Sequence, residues 1–387
     1  MAPCSKLTIL ALLGISSAQA IDPIVKGEPQ VLGIATDPRL NRDSCGSTRM
    51  QNRTFWTCRD TQNFDDDGNP TWQITSSTAS WTKLNEDGSP LIEPFLDGSK
   101  GLLMSGDNGL DNRNVYFSLQ PGQCNNNTAG QCGDGWRYAI WPDSPPMVTS
   151  GWCFGPVTAY TWILNQHINK DFSTDIDDPS VTLYRMDYDP GKATDENAFP
   201  LVSVVSGAFW ERDAIPYGVY GNIIRNRTAY LFGQPSNNNV ALAKVPADSV
   251  EDKSKYEYWV GGAWTNNAPS KDDERAKIPN ASAGGQGTYY YSNIWKSYVW
   301  IGQAAMSVSA EFYITTAPNP WGPWAEPKMF YSGENGSADL SAYTLQAHPH
   351  TVPRGKNQIY LSYTKVDHKV GTDFDVYSTP LILVEWE

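Results

Sequence analysis

Four short clusters hold most of the side chains in this 387-residue chain that could do chemistry: Arg42-Asp43-Ser44, Trp210-Glu211-Arg212-Asp213, Gly285-Gln286-Gly287 and His348-Pro349-His350. Each stands just before a short aromatic or β-branched run. Cleavage of a glycosidic bond needs two facing carboxyl groups, one protonated to assist the leaving oxygen and one ionised to activate water or attack the sugar. Asp43, in a Gly- and Ser-rich turn, and Glu211, behind the apolar Phe209-Trp210, are the first pair. Burial beside those rings would push the Glu211 carboxyl up toward the range of a general acid. Asp213 and Asp60 are reserves. Each has a structural alternative: a turn cap for Asp43, an ion pair with Arg212 for Glu211, a strand-end acceptor for Asp60.

His348 and His350 flank one proline in a chain with 4 histidines, which marks them as candidates to bind a sugar hydroxyl, orient a carboxylate or serve as a lyase base. Trp210, Tyr289, Tyr217 and Trp264 could cover the apolar faces of sugar rings, with Arg212, Gln286 and His350 adding polar contacts. The run Asp65-Asp66-Asp67-Gly68 reads as a solvated hairpin turn, because it lacks the glutamate that ends an EF-hand loop. No zinc spacing, Gly-rich phosphate loop or Gly-Xaa-Ser-Xaa-Gly elbow occurs, so no metal or cofactor is expected, with a structural calcium on the axis left open.

The elements that must position these residues repeat. Residues 55–60 (FWTCRD), 138–143 (YAIWPD), 229–234 (AYLFGQ), 298–303 (YVWIGQ) and 359–364 (IYLSYT) start 83, 91, 69 and 61 residues apart. Strand-sized phrases at such intervals, with unequal loops between them, predict an all-β chain folded as a five-bladed β-propeller over residues 21–387. The last strand or residues 31–36 would close the ring. A six-bladed ring, if the long second unit splits, and a β-sandwich are the alternatives. If the phrases are equivalent strands near the axis, the clusters before them converge on one face. The second phrase follows Trp136-Arg137, so its blade is expected to contribute least to catalysis.

Residues 1–20 carry Lys6, an apolar run from Leu7 to Leu13 and a small-residue ending, as in a secretory signal peptide. No later stretch is long and apolar enough for a membrane helix. Sequons at Asn52, Asn126, Asn226, Asn280 and Asn335 suit a secreted glycoprotein. Cys124 with Cys132 and Cys45 with Cys58 are the expected disulfides, leaving Cys153 as a buried thiol. The net charge of −13 comes with no basic run, which argues against nucleic acid and anionic membranes as partners. A monomer acting on carbohydrate outside the cell is expected.

Residues 314–324 (ITTAPNPWGPW) resemble a phrase of five-bladed propeller glycosidases of the arabinanase and xylosidase type. Together with residues 229–264 (containing AYLFGQ, ALAKVP and YEYWVGGAW) and the HPH of 348–350, they more closely resemble a propeller family long catalogued as a domain of unknown function, which includes endo-D-arabinanases. The similarity covers about residues 200–365; the N-terminal third matches loosely, through RDSCGS and the strand ending in Asp60. The resemblance implies a five-bladed fold and carbohydrate cleavage by acidic residues at the axis. The leading expectation is a glycoside hydrolase acting on a cell-wall glycan, with Asp43 or Asp60 as base or nucleophile and Glu211 as acid. A polysaccharide lyase, with His348 or a tyrosine as base and Arg212 or Arg354 neutralising a uronate, is the second. A non-catalytic glycan-binding propeller is the third.

Overall fold

Short β-branched and aromatic runs bounded by Gly, Asn and Asp become strands joined by tight turns, and the helical elements among the described residues are three 3-10 turns. The computed structural model describes residues 20–387 apart from 38, 72–73, 96–97, 107–114, 125–130, 152–154, 170, 194, 196 and 236–238. The signal segment, Asn126 and Cys153 lie outside the described residues.

The strands form successive antiparallel sheets. The first holds Cys45–Met50, Arg53–Cys58 and Thr78–Lys83; the second Met147–Ser150, Val157–Leu164, Val181–Tyr188 and Leu201–Trp210. The third holds Gly221–Arg225, Thr228–Gly233, Ala241–Pro246, Glu257–Val260 and Ala263–Thr265; the fourth Gly284–Ser292, Ser297–Ala304, Glu311–Ala317 and Lys328–Ser332. The last begins with Ala342–Ala347, Gln358–His368 and Pro380–Glu385 and takes Gln30–Ile34 as its next strand. Gln30 pairs with Leu383 and Ile34 with Pro380, so the two ends of the chain share one sheet, as expected from residues 31–36.

The first strand of each sheet packs against the first strand of the next, and the turn Pro349–Thr351 returns from the last sheet to Cys45–Met50. This is a β-propeller arrangement with the first strands innermost. Apolar clusters fill the seams: Phe55 and Trp81 meet Tyr184, Trp162 meets Leu231, Phe232 meets Tyr289 and Trp300, Ile301 meets Leu361, and Tyr360 meets Trp56. Trp56, Trp81, Trp162 and Trp300 are fully buried there, large rings that fill the wedge between neighbouring sheets. A β-sandwich would have two facing sheets rather than this ring.

Two boundaries differ from the sequence reading. Four of the repeated phrases fall on second strands, one layer out from the axis, in Arg53–Cys58, Thr228–Gly233, Ser297–Ala304 and Gln358–His368, with residues 55–60 and 229–234 running just past the strand end. Residues 138–143 instead leave the short strand Arg137–Ala139, which pairs with Gln166–Ile168, and run into the innermost strand of the second sheet. Leu201–Trp210, which leads into the cluster placed before the third phrase, is the outer edge of the second sheet, paired with Val181–Tyr188.

Candidate active site

A tight hairpin turns the cluster before a phrase and the residue ending it into neighbours. In the first sheet Cys45 pairs with Cys58, and the two are bridged by a disulfide. One step beyond that rung, the Asp43 amide donates to the Asp60 carbonyl at 2.8 Å and the Arg59 amide donates to the Asp43 carbonyl at 3.1 Å. Ser44, at a φ of 45°, turns its amide to Thr364 Oγ1 of the last sheet at 2.9 Å. The carboxyls of Asp43 and Asp60 therefore sit at the entry end of the innermost strands.

Residues from the second and last sheets complete the cluster. Asp143, four residues ahead of Met147, pairs with Arg59 at 2.5 Å. Arg137 binds both oxygens of Asp60, and Trp141 Nε1 donates to Asp60 Oδ1 at 2.8 Å. The Arg59 and Arg137 guanidiniums lie 5.3 and 5.6 Å from the Trp141 ring centre, a cation–π arrangement that holds them in place. Tyr343, on the innermost strand of the last sheet, donates its hydroxyl to Asp43, with Tyr377 packed edge-on to it.

Burial decides the electrostatics. Asp43 is 7% exposed, and desolvation pushes its carboxyl up to about 7 against the opposing pull of Arg59 and the hydrogen bonds from Tyr343 and Thr364. The nearby Asp60 adds to the rise. Burial also pushes Asp143 up, offset in part by Arg59. Burial would lower the Arg59 guanidinium, but Asp143 and Asp43 together carry it above its usual range. The Asp143 and Asp60 side chains keep 19% and 14% exposure, so the cluster is open to solvent at its mouth. Among the described residues no three His, Cys, Asp or Glu side chains are grouped to hold a metal ion.

The structure unites Asp43 and Asp60 and separates them from the other expected residues. Glu211, Arg212 and Asp213 are exposed beyond the outer edge strand of the second sheet, with Arg212 donating to the Asp178 carbonyl. The reason is the shifted boundary of Leu201–Trp210, which carries them to the rim. Trp210 is core, its indole donating to the Tyr217 carbonyl, and Tyr217 is buried beside it. Tyr289 stacks on Phe232 at 3.7 Å and donates to the Ala281 carbonyl. Trp264 packs among Trp259 and Trp321.

His348 lies just past the far end of Ala342–Ala347, whose near end holds Tyr343. It is 1% exposed, wedged between Ser47 Oγ and Ser362 Oγ at 2.7 Å each, and burial drives its pKa down to about 3. It is a neutral structural histidine, out of reach of the carboxylates. The longer connection of the last sheet, residues 348–357, accounts for the displacement. His350 is exposed near the same far end. Gln286 lies at the entry end of its innermost strand, on the bulge between Gly284 and Gly287, its Nε2 buried without a hydrogen-bond partner.

Arg59, Arg137, Trp141, Asp143 and Tyr343 were not singled out from the sequence. Their signal was the end of each phrase rather than its approach: Asp60, Asp143 and Thr364 all close a phrase and all reach the cluster. The second unit, expected to contribute least, supplies Asp143, Arg137 and Trp141. Both expected disulfides form, the second joining Cys124 to Cys132. Asn52, Asn226, Asn280 and Asn335 are exposed. The acidic turn is a turn, with Asp65 Oδ1 accepting the amides of Asp67 and Asn69. No described helix is long and apolar enough to cross a membrane.

No protein-family model matches the chain, and no curated protein matches it. Among solved structures it is similar to a candidate hydrolase from Bacteroides ovatus, at a TM-score of 0.59 and 15% identity over 92% of this chain and 87% of that one. It also aligns with a candidate exo-β-1,3-galactanase from Bifidobacterium bifidum, at a TM-score of 0.45 and 9% identity over 92% and 96% of the two chains. The GH43_1 enzyme of Xanthomonas citri with bound xylose aligns at a TM-score of 0.45 and 7% identity over 90% of each chain. The first likeness shows a shared fold.

Proposed function

We propose that this chain is a secreted glycoside hydrolase on a five-bladed propeller, cleaving a carbohydrate at the Asp43 cluster. The carrying observation is the convergence of Asp43, Asp60 and Asp143 on Arg59 and Arg137, with Asp43 buried so that it keeps a proton up to about pH 7. The count of five is supported by the sheets that succeed one another round the ring, the first taken as a three-stranded blade. The Bacteroides ovatus protein is itself described as a candidate hydrolase. The two disulfides, the exposed sequons and the apolar N-terminus support secretion.

In this reading Asp43 donates its proton to the glycosidic oxygen, and Arg59 and the Tyr343 hydroxyl stabilise the carboxylate it becomes. Asp143, at the open mouth, activates water or attacks the sugar carbon. Asp60, with both oxygens held by Arg137 and Trp141, fixes the loop that carries Arg59. The half-buried Trp141 ring offers a flat face for a sugar.

Incubation with arabinans, xylans, galactans and uronans, reading reducing ends and ultraviolet absorbance together, tests the proposal. Release of reducing ends without new absorbance, lost in Asp43→Asn and in Asp143→Asn, is the expected result. A rise in absorbance would instead indicate a lyase, and binding without release a lectin.

A further inference from the structure

A cavity of about 570 Å³ lies at the opposite end of the propeller from the carboxylates. It opens between the fourth and last sheets, beyond the far ends of Gly284–Ser292 and Ala342–Ala347. A second cavity of about 260 Å³ sits nearer the axis, and the two share a wall made of Tyr290, Tyr291, Asn293 and Pro349. Together they form a groove running from the axis to the rim, large enough for several sugar rings rather than one.

Its chemistry is unlike the rest of the molecule. In a chain of net charge −13 neither wall contains an aspartate or glutamate, while Arg354 and Lys356 line the outer cavity and Arg225 the inner one. Arg354 and Lys356 are exposed, and the acid acting on Lys356 is Asp87, which is not part of either wall. The Arg225 guanidinium lies 3.9 Å over the Tyr291 ring. Trp295 and Trp386 meet edge to face at 5.4 Å on the outer wall. Trp386 is 4% exposed, and its indole N–H is buried without a hydrogen-bond partner.

Aromatic faces, amide and hydroxyl donors and three cations with no carboxylate in the walls of one elongated groove match an acidic oligosaccharide. Its rings would lie on Trp295 and the tyrosines, and its carboxylates would face Arg354, Lys356 and Arg225. We propose that this groove is a second, non-catalytic glycan site for uronate-containing chains, holding a polysaccharide on the face opposite the Asp43 cluster. The proposal does not require that cluster to be catalytic.

Calorimetric titration of the full-length Asp43→Asn variant with hexagalacturonate and with neutral arabinohexaose tests it, since this variant removes turnover and leaves the groove untouched. Hexagalacturonate is expected to bind, at least tenfold more tightly than arabinohexaose, and to weaken as salt is raised. In that background Arg354→Ser with Lys356→Ser should weaken binding at least tenfold, and both positions are exposed enough to leave the fold intact. Trp295→Ala should do the same. In the otherwise unaltered chain, Arg354→Ser with Lys356→Ser should leave cleavage of a short neutral substrate unchanged. Equal affinity for the neutral sugar, no binding of hexagalacturonate, or binding indifferent to the groove substitutions would overturn the assignment.

Discussion

Asp43 holds a carboxyl group where water has been largely removed, and that burial pushes its pKa up to about 7. In the role of general acid it must be protonated, so kcat/KM is expected to fall tenfold per pH unit above about 7. Asp43→Asn should lose about 10²–10⁴-fold in rate, and a variant that kept wild-type turnover would remove Asp43 from the mechanism. The same proton affects stability. The folded pKa of about 7 lies above the ordinary 3.8, so between these values the folded chain holds a proton that the unfolded chain has released. The stabilisation is fully present at the acid end and is lost as pH rises through 7, and Asp143 acts in the same sense. Asparagine cannot titrate. The melting temperature of Asp43→Asn should therefore gain on that of the wild type between pH 5 and pH 8, and a constant gap in a calorimetric pH series would contradict the buried-proton account. Glu211→Gln, at the exposed rim, should change turnover by less than about twofold, in line with other surface substitutions.

The element that makes this site is the hairpin of Cys45–Met50 and Arg53–Cys58, which places Asp43 and Asp60 side by side although 17 residues separate them. The Cys45–Cys58 disulfide closes its last rung. Cys45→Ser with Cys58→Ser should lower stability by about 3 kcal/mol, measured by denaturant unfolding. Turnover should fall too, because the Asp43–Asp60 backbone rung depends on the same strand ends; unchanged activity would show that the loop geometry stands without the bridge. Of that hairpin only Arg53–Cys58 was legible in the sequence, through its aromatic phrase, whereas Cys45–Met50 (CGSTRM) carries no aromatic residue to mark it as a strand. The fourth unit was legible through residues 298–303, which fall in Ser297–Ala304. The second was not, because its long stretch before Met147 contains a phrase that looks like a strand, and the eye cannot tell from periodicity that residues 141–146 run as a loop toward the axis. Misplacing Leu201–Trp210 by one sheet then moved Glu211 from rim to centre. In the last unit the same rule failed for His348, since register along an innermost strand depends on how many residues the following turn consumes.

At the scale of the whole molecule, the site depends on closure of the ring. Asp43 enters from the first sheet, Asp143 from the second and Tyr343 and Thr364 from the last, so a small opening between first and last sheets would separate Asp43 from the groups that hold it. Closure is provided by Gln30–Ile34 on Pro380–Glu385, continued by the Val25–Trp386 bridge and the Lys26 amide bonded to the Glu385 carbonyl. Ala35 is fully buried where the last sheet meets the first. A chain beginning at residue 37 would leave Pro380–Glu385 as an uncovered edge, a template for pairing with other chains. Such a truncation should melt at least about 5 °C lower in calorimetry, since several kcal/mol of strand pairing and burial are lost. It should also associate on size-exclusion chromatography as concentration rises. Adding back a peptide of residues 21–36 should restore both the melting temperature and the activity, as the missing strand refills its place and brings Thr364 back to Ser44. A truncated chain that stayed monomeric and melted like the full one would show that the seam between the last and first sheets, where Trp56 meets Tyr360, holds the ring by itself.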